Sequence, residues 1–210
     1  MSRRRTHRQP TVAFDTYLAL LIYIGLAIAT LKIDREARQV VLWCALLGLS
    51  LAYSHRVPFT LSRPFVALGR GVAVGLVISL PVLFLAQSSL AAISGRLLPP
   101  MTGPAAFQSL VLLAPLAEGL FFRGLLQKQH GLVAQAITYG LFHVFFFLPT
   151  LGESALIIVP LAAVGVVLGF LYGYVSDHYG LAASVACHIT MNAMLLFLPP
   201  LIQEGLRRWA

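Results

Sequence analysis

The chain has 210 residues, of which 59% are hydrophobic and only 10% charged, and its mean hydropathy is +0.85. That balance excludes a soluble globular domain and indicates an integral membrane protein, with room for one compact helical domain and no soluble module of ordinary size. The formal net charge of +8 does not point to nucleic acid, because the basic residues sit at segment ends and in short loops rather than along one polar face.

Arg3, Arg4, Arg5 and Arg8 precede the first apolar stretch. Residues 1–12 therefore read as a basic cytoplasmic tail and 13–210 as a single membrane domain. A spanning helix needs about 20 mainly apolar residues, and about seven stretches come close: 13–31, 39–53, 71–93, 105–122, 131–148, 155–175 and 181–202. The fold class is all-α, a polytopic transmembrane bundle of about seven spanning helices, with six to eight compatible with the pattern. The second stretch is short and the third contains Pro81, so both are candidates for tilt or kinking. With the N-terminus inside, the inner regions hold the Arg tail, then Arg56, Arg63 and Arg70, then Arg123 and Lys128. The outer loops hold Lys32, Asp34, Arg35, Glu36 and Arg38, then Arg96, then Glu153. Positive charge is enriched inside, which suits a cytoplasmic N-terminus. Pro99, Pro100, Gly103 and Pro104 break the chain before the fourth stretch and mark the start of the functional half, about 104–198.

Glu118 is an acid inside an otherwise apolar stretch. A carboxylate at the centre of a spanning helix costs roughly 2.5–3.5 kcal/mol on insertion scales, so such a group faces a protein interior or a water-filled cavity and is a functional candidate. Arg123 follows it by five residues, about 140° around an ideal helix, so direct pairing of the two needs a helix end or break between them. Tyr139 and His143 are spaced i, i+4, as are His188 and Asn192, so each pair shares a helix face. If the fourth helix ends near Phe122, Glu118 lies near its inner end, level with His188 about two turns into the seventh. His143, 12 residues past Gly131 and so about 18 Å along a helix, is then deeper unless the site is a cavity reaching toward mid-membrane.

A carboxylate with imidazoles is equipment for activating water, while imidazole and amide donors stabilise charge developing on a carbonyl oxygen. Blander readings exist for each part: a structural Glu118–Arg123 ion pair, hydrogen-bonded core histidines, Asn192 as interhelical glue. Glu118, His143 and His188 could also hold zinc with an open position, although no H-E-x-x-H is present. Ser184 stands four residues before His188 and could bond to it, but the chain supplies no third member for a serine mechanism. Cys187 adjoins His188 on a different helix face and reads as a packing residue; with Cys44 far away in sequence, no disulfide framework is indicated.

Glu118-Gly119-Leu120-Phe121-Phe122-Arg123, Tyr139-Gly140-Leu141-Phe142-His143 and His188-Ile189-Thr190-Met191-Asn192 together resemble the CAAX protease and bacteriocin-processing (Abi) family of glutamic-type intramembrane proteases. The family's motifs are Glu-Glu-x-x-x-Arg, Phe-x-x-x-His and His-x-x-x-Asn, and order and spacing both fit over about 104–198. Gly165–Asn192, with Gly169 and Gly173 before a short loop, is also similar. Gly119 stands where the motif has a second Glu, and Tyr139 where it has Phe. The resemblance implies an endopeptidase without metal or cofactor, in which Glu118 and His143 activate water, His188 and Asn192 form the oxyanion hole, and Arg123 and Tyr139 support them. It implies a membrane-associated protein or peptide substrate, such as one with a C-terminal processing or sorting signal, and the small size suits a bacterial, myxosortase-like member. A non-catalytic immunity or scaffold protein and a proton-coupled transporter are the readings from other classes.

Overall fold

The computed structural model describes residues 15–54, 64–98, 103–151 and 158–209; the proposed 1–12 tail, Arg56, Arg63, Pro99, Pro100 and Glu153 lie outside these. Among the described residues the fold is all-α, in seven long helices. These are α1 (Thr16–Ala29), α2 (Arg35–Ser54), α3 (Pro64–Leu97), α4 (103–130), α5 (132–146), α6 (Ile158–Tyr179) and α7 (181–209). Four helical runs are long and apolar enough to cross a membrane: Phe65–Arg96, Gly103–Phe146, Val159–Tyr179 and Leu181–Arg208; Thr16–Ala29 is apolar but shorter. The second run is α4 and α5 together, which part at Gly131, where φ is +83°. That left-handed backbone is open to glycine and strained for other residues, and it turns the chain back on itself. Gly180, at φ +89°, does the same between α6 and α7.

Local chemistry sets the helix ends. The Asp15 carboxylate accepts the Tyr17 N–H at 3.1 Å to cap α1, and Asp34 accepts the Glu36 and Ala37 N–H groups at 3.0 and 3.3 Å to cap α2. The backbone bond from Tyr17 is the main cause holding the Asp15 carboxyl below its ordinary pKa range, with His130 adding to it. Thr16 donates to Gln129 at 2.9 Å and Asp15 contacts His130 at 2.8 Å, fixing the start of α1 beside the Gly131 turn. At the other end, Arg38 is buried and donates to the carbonyls of Phe146 (2.6 Å), Phe145 (3.1 Å) and Ala27 (2.9 Å). One guanidinium thus serves the unsatisfied C-terminal carbonyls of both α1 and α5.

Glycines let the helices approach closely. α6 presents Gly165, Gly169 and Gly173 in one stripe, antiparallel to Gly140, Ala136 and Leu132 of α5. A Cβ on Gly169 would stand 2.8 Å from the Ala136 Cα and 3.0 Å from its carbonyl oxygen. On α3, Gly71 and Gly75 meet Ala183, Cys187 and Thr190 of α7, running parallel. Small-residue contact of this kind is how helices associate in hydrocarbon, where burying apolar surface gains little.

The fourth helix does not end near Phe122. It runs on to residue 130, because Gln127, Lys128 and Gln129 are good helix formers and the break comes only at Gly131. Glu118 therefore lies 13 residues before that turn and His143 12 residues after it, each about 18–20 Å along its helix. The two arms carry them to the same depth, well inside the bundle.

Gly169→Ala should lower the melting temperature of the detergent-solubilised protein, since overpacking costs about 1–3 kcal/mol. Gly25→Ala, where a Cβ meets nothing within 4 Å, should be neutral or raise it. Equal melting temperatures for the two variants would refute the close α5–α6 contact.

Candidate active site

Glu118 sits at the junction of two π-helical segments, Phe107–Leu113 before it and Gly119–Leu126 after it, with Ala114–Glu118 as regular α-helix between them. Only 5% of its surface is exposed. Each carboxylate oxygen accepts one neutral donor: the Trp43 indole Nε1–H reaches Oε1 at 3.3 Å, and the Tyr139 hydroxyl reaches Oε2 at 2.6 Å. His188 Nε2 stands 3.9 Å from Oε2, beyond direct hydrogen bonding but within the span one water bridges.

Tyr139 is the hub of the cluster. Its ring packs edge-on against His143 at 4.5 Å between centroids and lies 6.4 Å from that of His188. The His143 Nδ1 is 2.8 Å from the Tyr139 backbone carbonyl. A carbonyl oxygen only accepts, so Nδ1 carries the proton, and in the neutral imidazole Nε2 is left as an acceptor. His188 is buried and stacked on Tyr172 at 4.4 Å. Tyr172 and His188 are each eight residues from the Gly180 turn, so the α6–α7 hairpin pairs them, as the α4–α5 hairpin pairs Glu118 and Tyr139. The His188 Nδ1 has no hydrogen-bond partner among the described residues.

Asn192 ends the regular part of α7, just before a third π-helical segment, Ala193–Phe197. Its amide donates to the Leu110 carbonyl at 2.8 Å. Leu110 lies within the first π segment, where the wider turn alters the ladder of backbone bonds. An amide nitrogen has two donors, so one N–H of Asn192 remains.

Arg123 does not bond to Glu118. Its guanidinium is buried, its three nitrogens lack hydrogen-bond partners among the described residues, and its Cζ lies over the Tyr139 ring at 4.2 Å and the Tyr172 ring at 4.8 Å. Two such cation–π contacts are worth about 0.5–2 kcal/mol each. Ser184 is bonded to the Tyr172 carbonyl at 2.8 Å rather than to His188. Gly119 packs against α7, where a Cβ would fall 2.5 Å from the Val185 Cγ2, so a second carboxylate at this position requires Val185 to move.

The sequence reading missed three groups: Trp43, Tyr172 and the Leu110 carbonyl. Trp43 carried a signal, because an indole N–H in a buried helix needs a partner and Glu118 was the acid available to it. Among the described residues no three His, Cys, Asp or Glu side chains form a group able to hold a metal ion. A cavity of about 340 Å³ lies between α2 and α4, lined by Glu36, Val40, Ala105, Gln108, Ser109 and Leu113.

No curated protein and no solved structure matches the chain. Residues 100–194, just under half of the chain, match the family model for type II CAAX prenyl endopeptidases, Rce1-like. That segment holds Glu118, Arg123, Tyr139, His143, His188 and Asn192, whereas Trp43 lies outside it. Through this segment the chain, an apolar helical bundle, is similar to the CAAX protease family of membrane endopeptidases.

Proposed function

We propose that this protein is an intramembrane endopeptidase in which Glu118 activates a water molecule against a peptide bond. The observation that carries the reading is the buried Glu118 carboxylate facing His188 Nε2 across 3.9 Å beside the Tyr139–His143 pair. The attacking water sits between Glu118 and the free Nε2 lone pair of His143, a tautomer that accepts from water and cannot donate to an oxyanion. Glu118 takes the water's proton as its oxygen bonds to the scissile carbonyl carbon, and passes that proton to the departing amine. A ring N–H of His188 and the remaining N–H of Asn192 donate to the carbonyl oxygen as charge builds on it. Glu118 is already engaged by Trp43 and Tyr139, which leaves its remaining acceptor sites for the water.

The substrate is a membrane-associated protein or peptide with a C-terminal processing or sorting signal, lying with its scissile bond near a membrane surface. The membrane is a bacterial inner membrane with the N-terminus in the cytoplasm, supported by Arg3, Arg4, Arg5 and Arg8 and by Arg56, Arg63 and Arg70 in the sequence. In that orientation, cysteines introduced at Ser2 and Glu153 should label from inside and outside respectively in intact cells. Outside labelling at Ser2 reverses the topology.

Glu118→Gln keeps the shape but removes the base and one of the two acceptor oxygens. With a fluorogenic farnesylated peptide ending in a C-a-a-X sequence as probe, its turnover should fall by about 10²–10⁴, while thermal melting shows the fold retained. A folded Glu118→Gln protein cleaving at the wild-type rate overturns the glutamate mechanism. A wild-type protein that cleaves nothing yet binds a membrane-active peptide favours the immunity reading.

A further inference from the structure

Both oxygens of Glu118 are held by neutral donors on two other helices, Trp43 of α2 and Tyr139 of α5. Neither donor is part of the motif pattern that the chain resembles. Trp43 lies outside the family-matched residues 100–194, and Tyr139 stands where the motif has Phe, which has no hydroxyl to offer. The motif's second acid is replaced by Gly119, whose face is filled by Val185 at 2.5 Å from where a Cβ would be. The polar partners of the carboxylate have thus come from across the bundle rather than from the next residue in the chain.

We propose that Trp43 and Tyr139 form a two-donor cradle that positions the Glu118 carboxylate for attack on the substrate. A carboxylate with one donor can still turn about its terminal torsion, which is broad for glutamate. Donors on both oxygens from two separate helices remove that freedom. Each oxygen has two lone-pair sites, so the cradle occupies one on each and leaves one on each, that on Oε2 being available to the water. Both donors are well placed for this: Trp43 is 2% exposed and Tyr139 1%. The Trp43 ring is wedged against Phe146 and that of Tyr139 against Phe122, with centroids 5.0 and 5.1 Å apart. Phe146 is the residue whose carbonyl Arg38 grips at 2.6 Å, so the α2 donor is tied to the same end of α5. Trp43 and Tyr139 touch no substrate on this account and act through Glu118.

This inference rests on the glutamate reading, and the two fail separately. Tyr139→Phe keeps the ring and deletes one donor, and Trp43→Phe deletes the other while keeping a smaller aromatic ring in its place. With the farnesylated C-a-a-X peptide, each should lower kcat about ten- to a hundredfold, the equivalent of one hydrogen bond to an acid, with KM unchanged. In the Glu118→Gln background neither should lower the residual rate further. Glu118→Gln inactive but Tyr139→Phe and Trp43→Phe at wild-type kcat overturns the cradle and leaves the glutamate mechanism standing; further loss in the Glu118→Gln background also overturns it. A readout without substrate covers a protein that does not cleave this probe. Ultraviolet resonance Raman of the Trp209→Phe protein isolates Trp43, since the chain has two tryptophans. Its indole N–H should be bonded, become free in Glu118→Leu, and loosen in Tyr139→Phe. A free Trp43 N–H in the starting protein overturns the cradle.

Discussion

A carboxylate buried inside an apolar bundle costs several kcal/mol unless donors meet it, and most of this architecture can be traced to meeting Glu118. Its donors come from α2 and α5, so those helices must be held in register with α4. The Gly131 turn folds α5 back along α4 to the depth of Glu118. Arg38 ties the ends of α1 and α5 to the start of α2. The glycine stripe of α6 lets it lie close on α5, which brings Tyr172 beneath His188 and beside Arg123. Loosening any of these moves a donor or an imidazole away from the carboxylate.

The π-helical segments belong to the same arrangement. A π turn inserts an extra residue and rotates everything after it by about a quarter-turn or more relative to an α-helix. Glu118 falls between two such segments and Asn192 just before a third. In α4 Glu118 and Arg123 nonetheless meet different partners: the acid meets Trp43 and Tyr139, and the base meets the two tyrosine rings. The Asn192 amide also finds its partner, the Leu110 carbonyl, in the wide turn rather than in a side chain. Irregular backbone at this depth is tolerable because it is enclosed by protein.

Helix class and the polar clusters were legible because both depend on periodicity and on the cost of polar groups among apolar ones. Glu118, His143, His188 and Asn192 stood out for that reason, and the structure gathers the first three around Tyr139. Neighbours across helices were not legible. Spacing tells which residues share a face but not what that face meets, so Arg123 looked like an ion-pair candidate and Trp43 was not singled out. The run of α4 past Phe122 was hidden by Arg123, Lys128 and the glutamines, which read as a polar loop but are strong helix formers. Gly165, Gly169 and Gly173 were visible as a four-residue repeat, yet only the α5 face opposite them explains it.

The position of Arg123 answers a problem that a simpler arrangement would create. A guanidinium bonded directly to Glu118 would be bidentate by preference and fill a lone pair on each oxygen. With Trp43 and Tyr139 already in place, no acceptor site would be left for a water. Held over the rings of Tyr139 and Tyr172 instead, Arg123 supplies positive charge to the interior without bonding to the acid. A cation over the Tyr139 ring draws electron density toward itself, which strengthens the phenol as a donor to Glu118. The tyrosine ring therefore acts as a spacer between opposite charges: it lets the bundle bury both while keeping the carboxylate open on the side that His188 faces.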